Sequence, residues 1–96
     1  MSTSTAILTT PDASRHLFKL CKHFARKIPV EFDERHGEIR FPFGVCRLVA
    51  TPAAMELHCE AGDDAELARL QDVIGSHVEL VTRSTTLLSP VWQPAP

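Results

Sequence analysis

The sequence predicts an α+β domain in which one antiparallel sheet is covered on a single face by two helices. Three observations predict it. From Val30 to Ala61 apolar and polar residues alternate with period two, and three turn signals interrupt the run. A helical pattern flanks this stretch on each side. A short segment rich in β-formers, Thr5–Thr10, precedes the first helix. The expected order is β-α-β-β-β-β-α and a tail, with both helices on one side of the sheet.

Each element has its own signal. Thr10, Pro11 and Asp12 open the first helix, with Pro in the first turn and Thr10 or Asp12 as cap. Leu17, Leu20, Cys21, Phe24 and Ile28 form its apolar arc, Arg15, Lys19, Lys22 and Arg26 the opposite arc, and Pro29 ends it. Four strands follow: Val30–Asp33, Glu38–Phe41, Val45–Ala50 and Met55–Ala61. Their turns are expected at Glu34–Gly37, Pro42–Val45 (where Gly44 can take positive φ) and Thr51–Ala54. Without bulges, paired positions sum to 71, 87 and 105. The inward rows are then Val30, Phe41, Cys46, Cys59 and Phe32, Ile39, Leu48, Leu57, every member apolar or Cys. Gly62, Asp63 and Asp64 start a second helix that runs to about Leu80, with Leu67, Leu70, Ile74, Val78 and Val81 as its stripe and Gly75 as a weak point. A last short strand is expected over Val81–Leu87. Residues 1–92 make one domain, and 93–96 a frayed Pro-rich tail.

Composition narrows the function classes. A chain of 96 residues and 10.6 kDa exposes about 5,500 Å² when folded, enough for one core without a metal or disulfide. Met1–Thr10 lacks the basic region of a signal peptide and no run reaches membrane-spanning length, so a cytoplasmic protein is expected. Three widely spaced cysteines suit reduced, buried thiols. Charge is uneven: residues 1–28 carry a net +4 and residues 29–96 a net −6. The two halves are either helices of opposite sign on one scaffold or a docking face for a charged partner.

Local geometry disfavours a metal site. Cys21 and His23 point about 200° apart on a helix, His16 and His23 lie roughly 10 Å apart along its axis, and His58 and Cys59 face opposite sides of a strand. The one conceivable ligand set joins Cys21, Cys46 and Cys59 under the first helix, and its simpler reading is three core residues. No cofactor is expected. His77 falls within the apolar arc of the second helix, where its ring needs a hydrogen-bond partner or faces a ligand. On the open sheet face Arg40 is expected beside Arg47, with His58 next to them. This is either a small-anion site or an ion-pair ladder with Glu31. No serine has an elbow motif and no cysteine is placed for activation. The sheet lacks the stacking aromatics that single-stranded nucleic acid requires. Val45 and Val49, with Trp92 loose nearby, leave room for a homodimer through the open face.

Several segments carry a resemblance: residues 12–46, the Met55-Glu56-Leu57 strand, and residues 67–79 with His77. The chain resembles the bacterial domain-of-unknown-function family 2218 over about Thr5–Trp92. Its distinctive parts are Leu20-Cys21-Lys22-His23, Gly37, Gly44-Val45-Cys46 and Leu70-Gln71-Asp72. After His77 the family pattern has Leu and an aromatic-rich strand, whereas Val78 and residues 82–88 here are less aromatic. The resemblance implies a stand-alone small protein or an appendage of siderophore-interacting flavoprotein reductases, and a link to iron handling. The element order also looks like the TATA-binding-protein-like fold, which does not transfer DNA binding. The expectation is therefore a non-enzymatic binding or accessory module. It takes a small ligand near His23, His77, Arg40, Arg47 and His58, or a protein partner along Arg15, Lys19, Lys22 and Arg26. The alternative is a metal- or redox-responsive protein using Cys21, Cys46 and Cys59.

Overall fold

Alternation of buried and exposed residues makes Ser2–Thr9 the first strand, β1, longer at its start than expected, with Ser4, Ala6 and Leu8 turned inward. The computed structural model describes residues 2–82 and 92–94. Helix α1 follows at Ala13–Phe24, then β2 (Val30–Phe32), β3 (His36–Phe41), β4 (Gly44–Ala50), β5 (Ala54–Ala61), helix α2 (Asp64–Thr82) and the short strand β6 (Gln93–Pro94). The sheet order is β2-β3-β4-β5-β1-β6, antiparallel at each pairing. Both helices pack on the inward face, where Leu17, Leu20, Leu48, Leu57, Leu70 and Ile74 are sealed from solvent.

The caps explain the helix starts. The hydroxyl of Thr10 accepts the Asp12 N–H at 3.1 Å, and Asp12 stands at the N-cap without a side-chain bond of its own. Asp63 caps α2 by accepting the Glu66 N–H at 2.8 Å. Regular α1 stops at Phe24, short of the expected Ile28, and residues 25–27 continue as a turn whose Lys27 and Ile28 N–H groups both bond to the Phe24 carbonyl.

Two of the three expected registers are corrected. Cys46 does pair with Cys59 and Leu48 with Leu57, so the sum of 105 holds. In contrast, Val30 pairs with Ile39, and Ile39 with Cys46, which gives sums of 69 and 85. Each is displaced by two residues, because each turn sits one residue earlier than expected. The Asp33 carboxylate accepts the N–H groups of Arg35 and His36 at 2.8 Å, closing the first turn over residues 33–36. Pro42 occupies the second position of the next turn, where its fixed φ belongs, so that turn spans Phe41–Gly44. A shift of two keeps every side chain on its face, and the inside/outside assignment survives.

Gly37 therefore lies in β3, not in a turn. A Cβ there would stand 2.6 Å from the Cys21 sulfur, so its missing side chain is what lets α1 rest on the sheet. Gly44 adopts no positive φ. Its constraint is also space, since a Cβ would stand 2.7 Å from the Glu60 carbonyl oxygen. At the other edge, the tail is not frayed at Gln93–Pro94, which pair with Thr5 and Ser4 of β1. An edge strand presents unpaired backbone groups, and the tail satisfies some of them. Trp92 packs against the core instead of lying loose on the open face. Of the expected strand Val81–Leu87, Val81 and Thr82 belong to α2, and 83–87 lie outside the described residues.

Candidate functional site

The three thiols converge as the register requires. Cys46 and Cys59 face each other across β4 and β5, Cys21 covers them from α1, and all three are free and buried. Burial pushes the Cys21 thiol up to about 12. The bond from Cys59 and burial raise Cys46 well above the ordinary thiol range. Such thiols stay protonated at neutral pH and are poor nucleophiles. Among the described residues, no three His, Cys, Asp or Glu side chains are grouped to hold a metal ion.

On the open sheet face the corrected register separates Arg40 from Arg47. Arg40 pairs with Val45, and Arg47 lies between Glu38 and His58. Glu38 bridges the two guanidiniums, receiving Arg40 Nε at 2.7 Å and Arg47 Nε at 3.2 Å, and their hydrogen bonds and charge hold its carboxyl below the usual range. His58 turns to Glu56 at 3.3 Å. This is the ion-pair ladder, with the anion position already filled by a side chain. Val45 and Val49 are half-buried, and among the described residues the exposed large apolar side chain of this face is Ile7 on β1.

The cations Arg15, Lys19 and Lys22 on α1 and Arg26 in the turn that follows it are all exposed. Among them Phe18 is 49% exposed, meets Phe32 of the edge strand at 5.7 Å, and lies under the Lys22 ammonium at 5.5 Å.

The arrangement with most chemistry is a cleft of about 760 Å³ beyond the C-terminal end of α1. Its walls come from three elements: His23, Phe24, Arg26, Lys27 and Ile28 after and within α1, Phe41–Phe43 at the β3–β4 turn, and Arg69, Val73 and His77 on α2. The rings form one connected cluster. The His77 ring lies tilted at 4.6 Å from Phe24 and 5.0 Å from His23, Phe24 meets Phe41 edge-on at 5.1 Å, and Phe41 meets Phe43 at 5.3 Å. The Arg69 guanidinium covers Phe43 at 4.4 Å.

His77 Nδ1 lies 2.7 Å from the Val73 carbonyl oxygen. A carbonyl only accepts, so Nδ1 is the donor in this bond. Desolvation, then the neighbouring His77, Arg26 and Lys27, lower the basicity of His23. The walls carry three permanent cations and, among the described residues, no carboxylate. The volume falls in the range of small-molecule sites.

His23, His77 and Arg26 of the sequence-predicted residues thus meet here, whereas Arg40, Arg47 and His58 lie on the opposite face of the sheet. Sequence reasoning missed Lys27, Phe41, Phe43 and Arg69 as site residues. One signal was present: Arg69, Val73 and His77 recur every four residues and share one stripe of α2.

The fold and its residues are found elsewhere. The NMR structure of PA4090 from Pseudomonas aeruginosa is 33% identical and superposes with a TM-score of 0.80, covering 99% of this chain and 98% of that one. No curated protein matches the chain. The family model described as an uncharacterized protein conserved in bacteria, DUF2218, matches residues 5–93. Strands β2–β5, most of β1, both helices and the cleft between them fall inside that match, and the chain belongs to this bacterial family.

Proposed function

We propose that this protein is a small, non-enzymatic binding module whose ligand site is the cleft between the end of α1, α2 and the β3–β4 turn. The observation that carries the reading is the connected cluster of Phe24, Phe41, Phe43, His23 and His77, which joins the edge of the core to the wall of a cleft of about 760 Å³. A concave volume lined by aromatic rings and a few polar groups is the usual form of a small-ligand site. The non-enzymatic part is supported by the raised thiols, and by hydroxyls committed to the main chain: Ser76 donates to Asp72 O and Ser14 to Glu34 O. The resemblance to domains appended to siderophore-interacting reductases suggests a ligand or partner from iron handling.

Amide chemical-shift mapping with a library of aromatic fragments tests this. Binders should perturb Phe24, Phe43, Val73 and His77 together. A library whose binders all spare these residues overturns the reading.

A second reading is favoured by the exposed Phe18–Phe32 pair inside the cationic stripe of α1. Here the module docks on an acidic surface of a reductase-type protein, with Arg15, Lys19 and Lys22 making the contact. Lys19→Glu with Lys22→Glu should weaken binding to such a reductase at low salt, and unchanged affinity rejects this surface.

A further inference from the structure

We propose that the cleft recognises a planar aromatic anion, its ring lying among Phe24, Phe41 and Phe43 and its acid group held by Arg69 with the His23–His77 pair. The inference rests on the cleft being the ligand site and adds the chemical class. Charge is the first argument. In a chain of net charge −2 with 12 acidic residues, Arg26, Lys27 and Arg69 line one small volume, and no carboxylate among the described residues lines it with them. On the sheet face the opposite holds, where Glu38 already bridges two arginines. Cations without a counter-ion among the described residues, beside an apolar floor, favour a ligand that brings the charge with it.

Geometry is the second argument. The Arg69 guanidinium carbon lies 4.4 Å from the Phe43 ring centroid, a contact that orders the side chain, and a guanidinium so held presents N–H groups to a two-oxygen acid. His77 is fixed by its bond to the Val73 carbonyl, with Nε2 aimed away from that bond. Nε2 accepts when the ring is neutral and donates when it is protonated.

The groups facing the two imidazoles are Arg26 and Lys27 from the α1 side, Arg69 on α2, and the rings of Phe24, Phe41 and Phe43. All the charges are positive, and they oppose protonation of His23. A bound anion removes that opposition, so anion binding takes up protons and strengthens as pH falls below neutrality. A neutral ligand of the same shape has no such dependence.

The test uses a matched pair of probes, naphthalene-2-sulfonate and naphthalene-2-sulfonamide, titrated into the full chain by NMR and calorimetry. The sulfonate is expected to bind about tenfold more tightly at pH 7 and low salt, the size of one charge-assisted contact. It should tighten further between pH 8 and pH 5.5, with proton uptake visible as a buffer-dependent enthalpy. Arg69→Met should bring the sulfonate down to the sulfonamide's affinity and leave the sulfonamide unchanged. Equal binding of the two probes in the cleft overturns the anion class while the ligand site stands. Binding of neither probe at the cleft removes both claims. Equal loss of both probes in Arg69→Met shows that Arg69 only shapes the cleft, and overturns its role in reading charge.

Discussion

Under the middle of α1 the protein gathers three thiols, and beyond the end of α1 it gathers two imidazoles and three phenyl rings. Both clusters join the same helix to the same sheet, and both consist of residue types that bind or react. They differ in access. The thiols are sealed beneath a helix that rests on Gly37 with no room for a methyl group; burial raises the Cys21 thiol, and the bond from Cys59 together with burial raises that of Cys46. The imidazoles are half-buried at the wall of an open cleft. The difference teaches that residue type nominates a site, while the closeness of the helix to the sheet decides whether it is one.

The sealed centre is the easier half to break. Gly37→Ala places a methyl on the Cys21 sulfur and should cost about 1–3 kcal/mol, the range for overpacking a tight core. Combined with Cys21→Ala, much of that loss should return, because the second change removes the atom in the way. Denaturant unfolding of the four members of the cycle measures the coupling. Additive losses would show that Gly37 is needed for some reason other than the approach of α1.

The two ends of α1 also hold a histidine each, on one stripe of the helix seven residues apart. His16 is 6% exposed, and its Nδ1 has no hydrogen-bond partner among the described residues. Burial lowers its pKa from the ordinary 6.5. Below that value the unfolded chain binds a proton that the folded chain refuses, so stability falls as pH drops from about 6.5. His16→Leu removes both the unsatisfied nitrogen and the titration. It should stabilise the protein by about 1 kcal/mol at pH 8 and by more at pH 5, read from thermal melts at both. His23, at the open end, is kept from protonating partly by its cationic neighbours, so a bound anion relieves it and nothing comparable relieves His16. An equal gain from His16→Leu at both pH values would place the acid sensitivity elsewhere.

The sequence made the sealed half legible and the open half only in part. Face assignment was readable because alternation has period two, and the errors of two residues in the Val30–Phe41 and Glu38–Ala50 pairings left it intact. Those errors came from turn chemistry, namely the Asp33 side chain bonding to Arg35 and His36 and Pro42 claiming the second turn position. They mattered outside the core. The displaced register put Arg40 directly beside Arg47 and hid Glu38 between them, so an ion-pair ladder was readable as an anion site. His23 and His77 each stood out by residue type, yet their contact depends on how two helices cross, which no local pattern encodes. Phe43 falls inside an expected turn, and a turn residue's direction follows from the register, which is displaced there by two residues.

The smallest effect tests whether the open end needs a weak helix. Gly75 lies between Val73 and His77 on α2, and a Cβ there would meet nothing within 4 Å. Packing therefore gives no reason for glycine, which costs a helix interior about 0.5–1 kcal/mol relative to alanine. Gly75→Ala should raise stability by that amount, measured as a shifted denaturation midpoint with an unchanged slope. Fragment binding at the cleft should not change if the walls are preformed. If the variant is more stable but binds more weakly, the turn of α2 that carries His77 must move on binding, and the contrast between the two regions becomes one of rigidity as well as access.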